Sequence, residues 1–279
     1  MIVVTGATGN VGRPLVRALA AAGEQVTAVS RRPSAADGPE GVRFRRADLA
    51  EPETLRPVLD GADALFLLVA GAGEDLKPHD ILDLARTAGV GRVVLLSSQG
   101  AGGRPENPSH SRLRAFEDAL RQSGPAWTIL RPGGFHSNAF LWAEAVRSQR
   151  TVSAPFGDVA LPDIDPSDIG EVAAVVLRDG AHAGRTYELT GPSAISPRER
   201  AQAIGDALGT PVRFVEQSRE EARAHMMRFM PGPVIDGTLD ILGAPSEAEQ
   251  RVSPVVEQIL GRSPRTFAEW ARRNVSAFE

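Results

Sequence analysis

The chain enters an apolar strand at residue 2 and leaves it through a turn with three evenly spaced glycines. The strand is Ile2–Thr5, the glycines are Gly6, Gly9 and Gly12, and the pattern over residues 10–22 predicts a helix directly after it. The first glycine permits a tight bend, the second lets a pyrophosphate approach the backbone, and the third lets the helix lie close to the strand. The helix N-terminus offers free N–H groups and a favourable dipole to phosphates. This order predicts the first unit of a dinucleotide-binding Rossmann fold.

Further apolar runs, interleaved with helical patterns, fill the first 131 residues. The predicted strands are 25–30, 42–45, 64–69, 92–97 and 127–131, and the predicted helices are 52–59, 80–88 and 111–123. Residues 64–69 are apolar without alternation, which is typical of a parallel strand buried on both faces. The fold class is therefore predicted as α/β, with a doubly wound parallel Rossmann sheet.

The pattern changes after Arg131. Residues 132–165 hold several prolines and glycines, and the residues from 167 onward are mostly helical in pattern, with short strands at 186–189 and 212–215. We predict a Rossmann domain over residues 1–155 and a smaller, mainly helical substrate-binding cap over residues 156–279. The chain is free to cross between the two lobes more than once.

Composition excludes several classes of function. The net charge of -4, from 31 basic and 35 acidic residues, argues against a nucleic-acid surface. The absence of cysteine excludes disulfides, thiolate catalysis and iron–sulfur clusters, and the five histidines show no metal-site spacing. No apolar run approaches the ~20 residues of a membrane helix, and no signal peptide precedes the first strand. We expect a cytoplasmic protein that acts on a small molecule, with no membrane, nucleic acid or metal partner.

The end of the second predicted strand indicates which nucleotide binds. It reads Val29-Ser30-Arg31-Arg32-Pro33, without the acid that holds the ribose 2′-hydroxyl of NAD. Arg31 and Arg32 are suited to grip a 2′-phosphate through charge-assisted hydrogen bonds of about 1.5–3 kcal/mol each. We therefore predict that NADP(H) is preferred over NAD(H); the alternative is that both arginines are solvated surface charge.

Other cofactor contacts are predicted from the positions of the strand ends. Asp48 and Leu49 follow the third strand, where they would cover adenine, and Asp48 would either accept from the adenine amine or cap a turn. Val69 and Ala70 follow the fourth strand and would run under the middle of the cofactor. The remaining candidates are Thr8, Asn10 and Val11 in the glycine turn and Ser97 at the end of the fifth strand.

Several segments together resemble the NmrA-like family of atypical short-chain dehydrogenases/reductases, over essentially the whole chain. They are Thr5–Gly12 (TGATGNVG), Trp127–Asn138 (WTILRPGGFHSN), Asp168–Ala174 (DIGEVAA), Gly184–Pro192 (GRTYELTGP) and Gly261–Phe267 (GRSPRTF). That family includes NADP-binding redox sensors, type-2 quinone oxidoreductases and related NADPH-dependent reductases.

The resemblance implies that the stretch after the sixth strand lines the nicotinamide end of the cofactor. The implied cofactor contacts are Pro132, Gly133 and Phe135, and the implied substrate contacts are His136, Asn138 and Phe140. The alternatives are that both phenylalanines pack in the core and that His136 is structural. Asp163 and Asp165, in a proline-rich stretch before a predicted helix, are interpreted as turn and cap residues.

One departure from the main-line short-chain dehydrogenases concerns catalysis. Those enzymes use Tyr-x-x-x-Lys, in which lysine lowers the tyrosine pKa so that tyrosine can pass a proton to a carbonyl. Residues 109–117, where the pair is expected, contain neither, because Tyr187 is the only tyrosine and Lys77 the only lysine. The usual carbonyl-reducing pair is therefore absent.

Three functions remain open, of which we favour the first. NADPH would pass hydride to an easily reduced acceptor such as a quinone, with His110 or His136 donating a proton and Ser97 orienting the acceptor oxygen. In the second, the protein binds NADP without turnover and signals its redox state to a partner. In the third, it is a biosynthetic reductase with a dedicated substrate and a histidine in the role of tyrosine.

Overall fold

A computed structural model describes residues 1–33, 38–69, 76–228 and 230–279. The strands are β1 (Ile2–Thr5), β2 (Val26–Ser30), β3 (Arg43–Arg46), β4 (Ala64–Leu68), β5 (Arg92–Leu96), β6 (Ala126–Pro132), β7 (Thr151–Pro155), β8 (Arg185–Leu189) and β9 (Arg213–Gln217). The α-helices are α1 (Gly12–Ala21), α2 (Arg56–Leu59), α3 (Pro78–Thr87), α4 (Gln99–Gly103), α5 (Ser111–Gln122), α6 (Ala143–Gln149), α7 (Pro166–Arg178), α8 (Pro197–Leu208), α9 (Arg219–Met226), α10 (Gly232–Gly243), α11 (Glu247–Gln250), α12 (Val255–Leu260) and α13 (Phe267–Arg273). Short 3₁₀ helices occupy Pro52–Leu55, Pro108–His110, His136–Trp142, Gly180–His182 and Val275–Ala277.

Seven of these strands form one sheet in the order β3-β2-β1-β4-β5-β6-β8. The pairs from β3 through β6 are parallel. The first six strands have the order of a dinucleotide-binding sheet, in which the direction of strand progression reverses between β1 and β4. The prediction of an α/β Rossmann fold is confirmed. Ligands of such sheets bind at this reversal, outside the carboxyl ends of the strands.

The central strands are buried on both faces, as their continuous apolar sequences predict. β1 and most of β4 and β5 are fully buried. One set of alternating strand residues, which includes Val3, Leu65 and Val93, packs in a single apolar cluster with residues of α3 and α5. The edge strand β3 reads Arg-Phe-Arg-Arg and is largely exposed, and charges on an edge strand discourage pairing with other chains.

Contacts within the chain divide it into two units. The first comprises Met1–Pro105, His110–Pro132 and Pro166–Glu188, and the second comprises Glu106–Ser109, Gly133–Asp165 and Leu189–Glu279. Residues 133–155, which we expected in the first domain, therefore pack with the second unit. Residues 166–188, which we expected in the cap, pack with the first, because α7 lies against α1 and the sheet.

The second unit is mainly helical. Its parallel strands β7 and β9 form a separate two-stranded sheet. An apolar cluster joins residues of α6, α8 and α13, with Phe267, Trp270 and Phe278 as its largest buried members. Within the described residues of the chain, none of the helices is long and apolar enough to span a membrane.

Gly170 sets the distance between α1 and α7. A Cβ at this position would lie 2.8 Å from the amide nitrogen of Leu15 and 3.1 Å from the carbonyl oxygen of Val11. We expect Gly170→Ala to destabilise the fold by about 1–3 kcal/mol, because the two helices would have to separate. Urea unfolding measures this effect. Gly103→Ala is the control, since a Cβ there meets nothing within 4 Å; equal losses in the two variants would contradict the close packing.

Candidate cofactor site

The glycine turn leaves the carboxyl end of β1 and opens α1. Gly6 has a φ of +62°, which favours glycine, and its carbonyl oxygen accepts a hydrogen bond from the Gly9 amide at 3.0 Å. A Cβ on Gly12 would lie only 2.2 Å from the same oxygen. Glycine is therefore required at the third position for the helix to start so close to the strand.

Thr5 ties the turn to the neighbouring strand. Its buried hydroxyl donates to the carbonyl oxygen of Phe66 at 3.1 Å and accepts from the Leu68 amide at 2.8 Å. The Ala7 amide donates a hydrogen bond to the carbonyl oxygen of Val29 in β2 at 3.1 Å. The turn is thus held by both strands that flank β1. No role was predicted for Thr5, although a hydroxyl at the end of an apolar strand is a usable signal.

The turn fits the pyrophosphate of a dinucleotide. Thr8 is half-exposed, Gly9 and Asn10 are exposed, and Val11 and Gly12 are buried. The first turn of α1 contains no acidic residue, so no acid of that turn neutralises the positive end of the helix. Backbone N–H donors, no Cβ on Gly9 and no nearby acid on the helix are the features that a phosphate group requires.

The adenine-side candidates lie at the ends of β2 and β3. Arg31 and Arg32 directly follow β2 and are exposed. Asp48 follows β3 and caps its own turn, since one carboxyl oxygen accepts from the Ala50 amide at 3.1 Å. Its other oxygen is the one available for an adenine amine. The structure therefore contains the capping alternative, and the adenine contact stays a prediction.

The candidates at mid-cofactor are placed less specifically. Leu49 and Val69 are half-buried and pack against the apolar core of the first unit. Ala70, with the adjoining Gly71, lies outside the described residues. A contact between any of these residues and the cofactor stays a prediction.

Ser97 belongs to a buried ionic network at the ends of β5 and β6. Its hydroxyl donates to the Glu117 carboxylate at 2.6 Å. Arg131 donates to both oxygens of that carboxylate, at 2.9 and 2.6 Å, and Arg121 adds a bond at 2.9 Å. In this arrangement the Ser97 proton is committed to Glu117, so Ser97 can only accept a hydrogen bond from another group.

The network keeps Glu117 ionised inside the first unit. Burial is the largest influence and raises the pKa of Glu117, but hydrogen bonds from Arg131 and Ser97 outweigh it and hold the pKa below its ordinary value. The network joins α5 to the ends of two central strands. Glu117 was missed by the sequence analysis; its signal is an acid between Phe116 and Ala119 on the apolar face of a helix.

His110 lies beside the end of β5. It directly precedes α5 and is half-buried. A Cβ on Gly100 would lie 2.4 Å from the His110 imidazole, so the ring rests against the first turn of α4. Ser98 caps that turn by accepting from the Gly100 amide at 3.3 Å. Within the first unit, the fold thus brings His110 and Ser97 to the same edge of the sheet.

His136, by contrast, lies in the interior of the second unit. It is 1% exposed, its ring centroid is 5.3 Å from that of Phe267, and its Nδ1 has no hydrogen-bond partner among the described residues. Burial lowers the pKa of His136, and the carboxylates of Asp163 and Asp165 oppose this shift without cancelling it. A neutral, buried imidazole favours the structural alternative over proton donation.

Asp163 and Asp165 are buried ion-pair residues. Asp163 pairs with Arg200 at 2.6 Å, and Asp165 pairs with Arg273. These aspartates were interpreted as turn and cap residues, and that role stays a prediction; the burial of their side chains, which are 5% and 1% exposed, was not predicted. The sequence could not show the arginines that compensate their burial.

The Asp163 carboxylate explains a nearby glycine. A Cβ on Gly134 would lie 2.3 Å from this carboxylate. The second glycine of the Arg-Pro-Gly-Gly segment is thus required by packing within the second unit.

The other residues implied by the family resemblance follow β6. Pro132 ends β6 in the first unit, and Gly133 donates to the Leu189 carbonyl at 3.0 Å within the second. Phe135 is half-buried, and Asn138 is exposed. Phe140 is 37% exposed and packs its ring 4.9 Å from that of Trp270. Their contacts with cofactor or substrate stay predictions.

Comparison with known proteins identifies relatives over the full length. A family model described as NAD(P)H-binding matches residues 6–179. A (4-alkanoyl-5-oxo-2,5-dihydrofuran-3-yl)methyl phosphate reductase of Streptomyces griseus subsp. griseus is 35% identical over 100% of this chain and 99% of its own. An NAD(P)H azoreductase of Xenophilus azovorans is 33% identical with the same coverage, 100% and 99%.

Two similar solved structures are also of proteins that bind NADP(H). The NADPH-dependent quinone oxidoreductase of Escherichia coli, complexed with NADPH, superimposes with a TM-score of 0.83 at 25% identity, over 98% of this chain and 99% of that one. NmrA, a negative transcriptional regulator in complex with NADP, superimposes with a TM-score of 0.77 over 99% of this chain and 95% of that one. At 20% identity, this second likeness shows the shared fold alone.

The Glu117 network predicts a pH-dependent loss of stability. Glu117→Gln should cost about 3 kcal/mol at pH 7, because it leaves the partly buried Arg131 without its counter-charge. The difference from the unsubstituted protein should shrink as pH falls through the lowered pKa of Glu117, since protonation removes the same charge. Urea unfolding at about pH 7 and about pH 3 measures it.

The matched control for this experiment is Asp118→Asn. Asp118 also pairs with Arg121 but is 70% exposed, so its loss should stay within about 0.5 kcal/mol. If the difference in free energy of unfolding between the unsubstituted protein and Glu117→Gln is the same at both pH values, the role assigned to the Glu117 charge is contradicted.

Proposed function

We propose that the chain is an NADPH-dependent oxidoreductase that reduces a small electrophilic acceptor such as a quinone. It belongs to the NAD(P)H-binding family as an NmrA-like atypical short-chain dehydrogenase/reductase. The oxidoreductase class follows from its relatives, which are named as reductases that use NAD(P)H. The observation that carries the acceptor class is an intact glycine turn in a chain whose helix α5 has neither tyrosine nor lysine. An acceptor that needs little acid assistance suits such a site.

The reaction requires few groups from the protein. When bound, NADPH supplies a hydride; a quinone takes up that hydride and one proton, and the products are hydroquinone and NADP⁺. Reduction restores an aromatic ring in the quinone, so the acceptor needs less activation than an isolated carbonyl. The chain would hold the phosphates on its glycine turn and align the acceptor, and alignment alone supplies up to ~7–11 kcal/mol in favourable cases.

Among the proposed proton donors, His110 is best supported. Its ring lies at the carboxyl edge of the sheet against Gly100, and imidazole titrates near neutral pH. The Ser97 proton is engaged by Glu117, and His136 is buried in the second unit. Ser97 would then serve as a hydrogen-bond acceptor near the reacting groups.

A second candidate is a reductase with one dedicated substrate. The Streptomyces griseus reductase, which is 35% identical over the whole chain, supports it. Such an enzyme would use the same cofactor site and differ in accepting a narrow range of compounds. A cofactor-binding protein without turnover is the remaining alternative.

Acceptor range distinguishes these functions. We expect NADPH oxidation to be fast with several quinones in a panel that also contains azo compounds and α,β-unsaturated lactones. Turnover with a single lactone class would favour the dedicated reductase. Tight NADPH binding with no turnover on any acceptor would favour the sensor and contradict the enzyme proposal.

The arginines after β2 predict a cofactor preference. Arg31→Gln with Arg32→Gln should raise the KM for NADPH about ten- to a hundredfold and leave the KM for NADH within about twofold, because only NADPH carries the 2′-phosphate. Steady-state kinetics with both cofactors and one quinone tests this. Equal losses for NADPH and NADH would refute the assignment.

The proposed role of His110 predicts a loss of turnover. His110→Gln should lower kcat about 10²-fold, leave the KM for NADPH near its original value, and flatten the pH profile of kcat near neutrality. His79→Gln is the control, since His79 is exposed on α3. If His110→Gln retains full kcat and an unchanged pH profile, the proton comes from elsewhere.

A further inference from the structure

A concavity beside the glycine turn contains two arginines that the sequence analysis did not single out. Its lining includes Thr8 of the turn, Arg13, Val16 and Arg17 of α1, and Gly38 and Phe44 opposite them. All of these residues belong to the first unit. The predicted pair after β2, Arg31 and Arg32, is not part of this lining in the described residues.

The two arginines project from one face of α1. They are four residues apart, so their side chains are neighbours on the helix surface, and Val16 beside them is buried. The opposite wall is the ring of Phe44, which lies so close to Gly38 that a Cβ there would be 2.2 Å from the ring. The concavity therefore has a doubly cationic wall and an apolar wall.

These arginines differ from most others in the chain. Across the described part of the sequence, the side chains of Arg13 and Arg17 form no hydrogen bond or ion pair, and both residues are exposed. Many arginines on other surfaces are paired, as in Arg56 with Glu53, Arg198 with Asp158 and Arg223 with Asp236.

The unpaired arrangement carries a small cost. Like charges four residues apart destabilise a helix by about 0.2–0.5 kcal/mol. A bound anion would remove that repulsion.

The strand that contributes Phe44 carries further positive charge. Arg46, two residues after Phe44 and therefore on the same face of β3, is exposed. The first turn of α1 adds no acid. The region thus attracts anions beyond the single pyrophosphate that the glycine turn serves.

We propose that Arg13 and Arg17 form a binding site for a phosphate monoester on the ribose of the bound dinucleotide, and that they contribute to NADP(H) preference together with Arg31 and Arg32. The proposal rests on the cofactor assigned under the proposed function. Thr8 belongs both to the pyrophosphate-binding turn and to this concavity, so a second phosphate of the same ligand is the anion within reach.

The chemistry of the concavity matches that group. A phosphate monoester carries a charge near −2 at neutral pH. Two guanidinium groups offer the planar donors that bind phosphate oxygens in pairs. The apolar wall of Phe44 and Val16 limits solvent screening and strengthens the interaction.

The test compares two nucleotides that undergo no redox chemistry. Adenosine 2′,5′-bisphosphate and adenosine 5′-monophosphate are titrated by calorimetry into the full chain and into Arg13→Gln/Arg17→Gln. We expect the double variant to bind the bisphosphate at least about 30-fold more weakly and the monophosphate within about twofold. Arg31→Gln/Arg32→Gln should also weaken bisphosphate binding, by about ten- to a hundredfold, and leave monophosphate binding within about twofold.

Controls separate the site from net charge and folding. Arg56→Gln/Arg86→Gln removes the same two positive charges from elsewhere in the first unit and should change both affinities less than twofold. Arg13→Lys/Arg17→Lys retains the charge and should recover part of the bisphosphate affinity. Thermal unfolding of each variant confirms that the fold is retained.

The outcomes distinguish this inference from the proposed function. Equal weakening of both nucleotides would overturn the inference, because the arginines would then serve the shared 5′-phosphate. Unchanged bisphosphate affinity in an enzyme that still oxidises NADPH would also overturn it and leave the proposed function intact. If the double variant loses affinity for the bisphosphate but not for the monophosphate, and the protein oxidises no NADPH with any acceptor, only the proposed function is overturned.

Discussion

Helix α1 begins where it does only because position 12 has no side chain. The Gly12 backbone lies so close to the Gly6 carbonyl that any Cβ would collide with it. That contact fixes the helix N-terminus against the end of β1, and α7 then packs on the same helix through Gly170. The position of α1 also carries Arg13 and Arg17 to the concavity beside the turn. One backbone contact thus sets the phosphate cradle, one layer of the fold and the cationic wall.

Local signals predicted the parts of the fold that depend on neighbouring residues. The glycine turn and the apolar strands were predicted correctly, because bend, burial and helix start are encoded within about ten residues. The place of β8 in the main sheet was missed, since pairing with β6 joins segments far apart in sequence. The short helix α4 reads Gln-Gly-Ala-Gly-Gly and was also missed, because glycine disfavours helix and only the Ser98 cap signals its start.

The candidate site was predictable where motif residues act through their backbone, and less so where side chains find distant partners. Arg131 lies in a segment associated by resemblance with nicotinamide, yet its guanidinium pairs with Glu117. Ser97 is committed to the same carboxylate. His136 faces Asp163, which sits 27 positions further along the sequence. Such pairings arise from tertiary packing, so periodicity and spacing do not contain them.

The interleaving of the two units bears on how the protein can be divided. The first unit consists of three separate stretches of chain, and the last, Pro166–Glu188, supplies both α7 and the edge strand β8. A fragment ending near residue 155 would leave one face of the sheet without α7 and would leave β6 as an unpaired edge. Neither unit is a module that a single continuous segment could carry into another protein. Folding of the nucleotide-binding sheet therefore waits for synthesis of just over two-thirds of the chain.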